Sequence, residues 1–303
     1  MLHTLDLDFH RRPRVIAAGL LEGPGGAIVV DPGPASALEG LRRGLAAHGR
    51  SPEELEAVLL THVHLDHAGA AGVLARENPR LRVYVHERGA PHVVDPSKLV
   101  ASASRLYGER METLWGEIAA VEGSRVEPLR GGERLSLAGR TIEVAYTPGH
   151  AWHHVSYFDL ETRAALVGDV GGIRVAPSPE VIPPTPPPDI DLERWNASLE
   201  AIAAWNPSSL LLTHFGTFED VPAHLERVRA RLEEMARLVR ESLDEPARDD
   251  EERVGRFRAR LHESLLEALR SDDAATRYET AVSLDHCWDG LARYWRRRRT
   301  AAR

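Results

Sequence analysis

The sequence predicts an α/β core over residues 1–218 followed by a helical module over residues 219–303. Three observations predict it. Short apolar runs of strand length recur up to Leu212, segments of helical period lie between them, and from Asp220 onward only helical spacing remains. Val15 to Leu21 and Ala27 to Val30 read as strands split by the turn Gly23-Pro24-Gly25-Gly26. Ala35 to His48 reads as a helix with Leu38, Leu41 and Leu45 on one face. Ser51-Pro52-Glu53-Glu54 has the form of a helix start, with proline just inside the cap. Leu55 to Leu60 is a strand ending at Thr61, Ala70 to Arg76 a helix, and Leu81 to Val85 a strand. Residues 96 to 120 read as an amphipathic helical insertion built on Leu99, Leu106, Leu114, Trp115 and Ile118. Strands return at Leu135 to Leu137, Thr141 to Ala145, Val155 to Phe158 and Ala164 to Val167. Residues 177 to 188 hold seven prolines, too many for a helix or a central strand. Asp191 caps a helix carrying Leu192, Trp195, Leu199 and Ile202, and Leu210 to Leu212 reads as the last buried strand. Three helical faces follow: Leu225 to Leu243, Val254 to Leu269, and Tyr278 to Trp295, with breaks at 245–250 and 271–273.

Composition excludes several classes. A chain of 303 residues that is 43% hydrophobic has enough apolar material for a large core and is not disordered. It has no run of about 18 apolar residues, so no transmembrane helix is expected. The start, Met1-Leu2-His3-Thr4, shows no basic patch before an apolar stretch. Cys287 is the single cysteine, which excludes an internal disulfide. A cytoplasmic protein with no membrane partner is the expectation. The formal net charge of −8 argues against nucleic acid as a general partner.

The chemistry concentrates in Thr61-His62-Val63-His64-Leu65-Asp66-His67-Ala68-Gly69. Four residues of metal-ligand type follow a strand and precede a helix. In extended backbone His62 and His64 point to one side, and the turn into the helix swings Asp66 and His67 to a neighbouring point. Imidazole and carboxylate suit Zn, Fe or Mn. Three more short strands end in the same residue types, at His150, Asp169 and His214. Loops at strand ends are where α/β folds assemble sites. Seven candidates then divide into two metal positions that share one carboxylate.

The pattern HxHxDH with a later His, Asp and His resembles the metallo-β-lactamase superfamily, over residues from about 15 to 218. The resemblance implies a four-layer αββα sandwich with the metals at one edge. It implies that His62, His64 and His150 hold the first of two divalent ions, and Asp66, His67 and His214 the second, with Asp169 bridging them. Zn is the first expectation, with Fe or Mn also suited. Asp31, in Val29-Val30-Asp31-Pro32-Gly33, matches the family's first motif and would brace the metal loop. Asp66 and His67 together with Asp169 look like the glyoxalase II and lactonase branch, which points away from antibiotic hydrolysis.

The expected reaction is hydrolysis of a small-molecule ester, lactone or thioester. A water bridging two metals loses its proton near neutral pH and attacks, and Asp66 handles the proton. The alternatives are a mono-iron persulfide dioxygenase, which leaves the second position empty, and a phosphodiester or phosphotriester hydrolase. His154 reads as a structural hydrogen-bonder and His86 as a satisfied strand-end histidine, while Trp152 reads equally as pocket or core. His153 sits where the sequence departs from the family pattern. Tyr107 reads as a packing residue, with donation to a substrate carbonyl as its alternative. The insertion and the proline segment are candidate walls, a stiff connector being the other reading of the second. The C-terminal helices are expected to form a substrate wall, as an added helical module does in glyoxalase II, or a homodimer interface.

Overall fold

A computed structural model describes residues 1–175, 178–245 and 249–301. The elements in chain order are β1 (Leu2–Asp6), β2 (Ala17–Gly23), β3 (Gly26–Val30), α1 (Leu38–Ala47), β4 (Leu55–Leu59), α2 (Leu65–Ala68), α3 (Ala71–Glu77) and β5 (Arg82–His86). There follow α4 (Ala90–Val94), α5 (Ser97–Tyr107), α6 (Met111–Trp115), β6 (Val126–Leu129), β7 (Arg134–Leu137), β8 (Arg140–Tyr146), β9 (Val155–Asp159) and β10 (Ala164–Leu166). The chain continues with α7 (Leu192–Ala204), β11 (Ser209–Leu212), β12 (Gly216–Phe218), α8 (Val221–Asp244), α9 (Asp250–Leu269), α10 (Asp272–Ala281) and α11 (Leu284–Ala301).

The strands form two six-stranded sheets, β1-β2-β3-β4-β5-β6 and β12-β11-β10-β9-β8-β7. β3, β4, β5 and β6 run parallel, and β10 runs parallel to β11; the remaining pairs are antiparallel. Period-two alternation sorts the side chains between layers. In β3, Ile28 and Val30 enter the core between the sheets, while Ala27 and Val29 face the layer holding Leu41, Leu45 and Leu74 of α1 and α3. In β11, Leu211 points between the sheets, while Leu210 and Leu212 face Trp195 of α7 and Val228 and Leu232 of α8. The result is the αββα sandwich. Helices α8 to α11 complete its outer layer, because Leu261, Tyr278, Trp288 and Leu291 share one core with Phe158 and Val170.

Several sequence expectations change. The Ser51 start yields only a 3₁₀ turn at Pro52–Glu54, because the backbone from Leu55 is taken up as the strand β4, pairing in parallel with β3. The Ser51 cap itself forms, its N–H donating to Glu54 Oε2 at 2.8 Å. The insertion is not one helix to residue 120: it turns at Gly108 (φ 54°) and stops at Gly116 (φ 68°), both left-handed. β6 enters as an edge strand beside β5; Leu210–Leu212 is the last buried strand as expected, and the mostly uncovered β12 hairpins onto it. The third C-terminal face splits at Val282 and Ser283 into α10 and α11. Asp191 does cap α7, accepting from the Arg194 N–H at 3.0 Å. Pro177 of the proline segment and residues 246–248 of the expected break at 245–250 lie outside the described residues. Among the described residues no helix is long and apolar enough to cross a membrane.

One buried ion pair ties the two sheets at the end opposite the C-termini of β4, β8, β10 and β11. Arg140 of β8 makes a two-pronged pair with Asp159 of β9 and donates to the Glu22 carbonyl of β2 at 2.7 Å. Arg140 and Asp159 side chains are 5% and 0% exposed, so removal of either partner strands a buried charge. Arg140→Ala is expected to cost about 3–5 kcal/mol in denaturant unfolding; a loss below about 1 kcal/mol would place the pair among weak surface bridges. Because α8 covers apolar residues of α7 and β11, a chain ending before Asp220 is expected to aggregate. A monodisperse, folded truncation in size-exclusion chromatography and circular dichroism would contradict this.

Candidate metal centre

All seven sequence-predicted residues meet at one edge of the sandwich, where β4, β8, β10 and β11 end. They form two groups, His62, His64, His150 with Asp169, and Asp66, His67 with His214, each with potential ligand atoms within 4.8 Å of one another. In the first, His64 Nδ1 lies 3.0 Å from His62 Nε2 and 2.9 Å from His150 Nε2. Asp169 Oδ2 lies 3.3 Å from His150 Nε2 and 3.9 Å from His62 Nε2. In the second, Asp66 Oδ2 lies 3.3 Å from His214 Nε2 and 3.7 Å from His67 Nε2. Asp169 Oδ1 lies 3.1 Å from His67 Nε2 and 3.7 Å from His214 Nε2. Asp169 therefore turns one oxygen to each group.

Backbone conformation delivers two of these residues. Gly168 has φ 48°, and a Cβ there would stand 2.5 Å from Thr61 Oγ1 and 2.8 Å from His154 Nε2. Gly149 has φ 138°, and its Cβ would stand 2.4 Å from the Trp195 Cα. Only glycine allows Asp169 and His150 to be presented this way.

The outer nitrogens of the rings decide where the lone pairs point. His150 Nδ1 faces the Pro184 carbonyl at 2.8 Å and His214 Nδ1 the Val15 carbonyl at 2.9 Å; a carbonyl only accepts, so both Nδ1 atoms carry the proton. His67 Nδ1 donates to Asp31 Oδ2 at 2.8 Å. Thr61 Oγ1 donates to Asp31 Oδ2 at 2.7 Å and so accepts from His62 Nδ1 at 3.0 Å. In each neutral ring Nε2 is then a bare lone pair aimed into the cluster. His67 Nε2 and Asp169 Oδ1 are buried with no hydrogen-bond partner. These ring nitrogens and carboxylate oxygens converge in a buried space that either protons or a cation must fill, so the donor set fits divalent metal.

Electrostatics divide the cluster in two. Burial lowers His150 to about 4, and burial with the neighbouring imidazoles lowers His62 well below its ordinary value. Burial also acts on His67 and His214, but Asp169 and Asp66 outweigh it and raise both. Asp66 is held at about 2, because His67 and His214 overcome the burial that pushes it up.

The other sequence candidates separate cleanly. Asp31 braces the loop as expected, accepting also from the Thr61 N–H and Thr213 Oγ1, both at 2.8 Å. His86 is satisfied, accepting from the Arg88 N–H at 3.2 Å and stacking on Tyr146. His154 is fully buried and bonds Thr147 Oγ1 at 2.9 Å, outside both groups. Trp152 belongs to neither pocket nor core: Arg194 and Arg88 lie over its ring at 4.9 and 5.6 Å. His153 lines the cavity in front of the cluster, stacked on His62 at 6.1 Å. Tyr107 lines it too, with its ring against Trp115 and His286. Of the proline segment, Pro184 and Pro186 to Pro188 form a wall. Sequence reasoning assigned no role to Thr61 and Thr213. Their signal was the repeated Thr-His pair at the ends of β4 and β11.

The model of the metallo-beta-lactamase superfamily matches residues 11–214. The chain belongs to the metallo-beta-lactamase superfamily. A metallo-beta-lactamase fold-containing protein of Sulfurisphaera tokodaii is 29% identical over 167 residues, which is 54% of this chain and 62% of that one. A hydroxyacylglutathione hydrolase of a Synechococcus species is 30% identical over 143 residues, covering 47% of this chain and 43% of that one. These curated relatives are thus matched over about half of their own length. The solved structure of a metallo-beta-lactamase family protein from Thermus thermophilus superposes with TM-score 0.69 at 24% identity, covering 95% of this chain and 92% of that one. That likeness shows the superfamily fold extending through the C-terminal helices.

Asp31→Asn removes the acceptor that sets His67 and, through Thr61, His62. Metal affinity in chelator competition is expected to fall about 10–100-fold, with the far-ultraviolet spectrum unchanged. Unaltered affinity would make the Asp31 contacts irrelevant to the centre.

Proposed function

We propose that this protein hydrolyses an acyl bond, a carboxylic ester, lactone or thioester, at two divalent metal ions. The observation that carries the reading is the carboxylate of Asp169, with one oxygen facing each group. His62, His64, His150 and Asp169 Oδ2 would hold one ion, and Asp66, His67, His214 and Asp169 Oδ1 the other. Zn suits the nitrogen-rich set first, and Fe or Mn also suit a mixed set with carboxylates. Two ions held there would polarise the acyl carbonyl and lower the pKa of bound water. The partial similarity to a hydroxyacylglutathione hydrolase supports the glyoxalase II-like branch.

The protein's own part is positioning and proton transfer. Asp31 and the Pro184 and Val15 carbonyls hold the rings in single tautomers, so the lone pairs are in place before substrate arrives. Both carboxylates line the cavity, but Asp66 is 22% exposed and Asp169 only 6%. Asp66 is therefore the carboxylate that reaches the attacking water, takes its proton, and returns it to the leaving oxygen or sulfur. The mono-iron dioxygenase reading needs only the first group. The intact second group, Asp66, His67 and His214, favours the hydrolytic one.

Metal analysis of the purified protein is expected to give two ions per chain, with turnover in a panel of lactones, thioesters and aryl esters. One iron with oxygen uptake would establish the dioxygenase instead, and turnover of phosphoesters alone a phosphohydrolase. Asp66→Ala is expected to lower kcat at least about a hundredfold while the fold survives. Near-wild-type turnover with both metals bound would remove Asp66 from the mechanism.

A further inference from the structure

In front of the cluster lies a cavity of about 970 Å³. His64, Asp66 and Asp169 form its floor, the prolines one side, α5 and α6 the other, and the α10–α11 corner its far wall. The α5 wall is set by helical spacing. Leu99, Ala103 and Leu106 lie on one face and all line the cavity. Between Lys98 and Arg110, at the two ends of this wall, Ser102 and Tyr107 supply its only polar lining side chains. Leu106 is 38% exposed; among the described residues the only other large apolar side chains of that exposure are Met1 and Val94. Leu284 closes the opposite end from α11. A small acyl group at the floor would leave this wall in water; the charged lining gathers on the other sides, at Asp189, Arg258, Glu279 and Asp285, and leaves the α5 face apolar. Hydrocarbon is what such a surface rewards, at about 0.8 kcal/mol per buried methylene.

We propose that the site takes acyl compounds with a hydrocarbon chain of several carbons, laid from Asp66 along Leu106 and Leu99. This rests on the acyl-hydrolase reading for its chemistry and on the α5 wall for its specificity. The test uses the full metal-loaded chain and calorimetric titration with acetate, hexanoate and decanoate. Decanoate is expected to bind at least about tenfold tighter than acetate, with hexanoate between. Leu106→Asp, on an exposed helix face, is expected to lose that advantage with metal content and helicity retained. Equal affinity for the three acids overturns the proposal. So does a chain-length dependence that survives in both Leu106→Asp and Leu99→Asp. Turnover of the matching thioesters separates the two readings. Tight, Leu106-dependent decanoate binding with no hydrolysis sinks the acyl-hydrolase reading and leaves the chain-binding wall standing.

Discussion

The arrangement of the whole edge depends on one buried carboxylate. Asp31, 1% exposed, accepts from the Thr61 N–H, Thr61 Oγ1, Thr213 Oγ1 and His67 Nδ1. A buried charge is tolerable only when its oxygens are filled with donors, and here they are. These contacts join the end of β3 to the ends of β4 and β11, one strand from each sheet beyond its own. The same carboxylate reaches one ring in each half of the cluster, His67 directly and His62 through Thr61. Asp31 itself sits at φ 49°, a conformation aspartate tolerates better than most residues, and that bend turns its side chain back toward the strand ends.

The C-terminal helices are linked to this edge by polar contacts as well as by their apolar core. His224 of α8 is fully buried and donates from Nε2 to the Gly171 carbonyl at 2.8 Å, two residues past Asp169. Arg174 binds Asp220 at 2.7 Å and lies over Phe218, while its own N–H donates to the His214 carbonyl. The turn carrying Asp169 and the loop carrying His214 are therefore both anchored near the start of α8. Further on, α11 presses Gly290 against Thr185, where a Cβ would stand 2.0 Å from the carbonyl oxygen, and so fixes the proline wall. The helices thus set the cavity's outline and steady two residues of the cluster.

The motif and its three later strand-end partners were legible because each is local: a strand, a turn and a ligand-type side chain adjacent in sequence. Strands β2 to β5 and β7 to β10 were legible for the same reason, as apolar runs bounded by turn residues. What escaped depends on pairing over distance. β6 is short and half polar and becomes a strand only beside β5. β12 is three residues long and exists as the return of a hairpin on β11. The break between α10 and α11 carries neither glycine nor proline, so periodicity ran through it. Thr61 and Thr213 were visible as residues, but their joint hold on Asp31 spans 182 positions for the second and follows from the fold alone.

Two groups of different character share the one carboxylate of Asp169. At His62, His64 and His150 burial dominates and, with the neighbouring imidazoles, outweighs the pull of Asp169 and Asp66, so all three are lowered. Around His67 and His214 the neighbours are Asp66, Asp169 and Asp31, and protons are drawn on. A divalent ion bound at His67 and His214 would have to displace any proton on the same ring nitrogen, because that nitrogen cannot hold both. Cation uptake at the second group would therefore release protons more than uptake at the first, where burial already lowers the imidazoles. Asp169 lies between a set of imidazoles and a set that adds a second carboxylate, and it turns one oxygen to each.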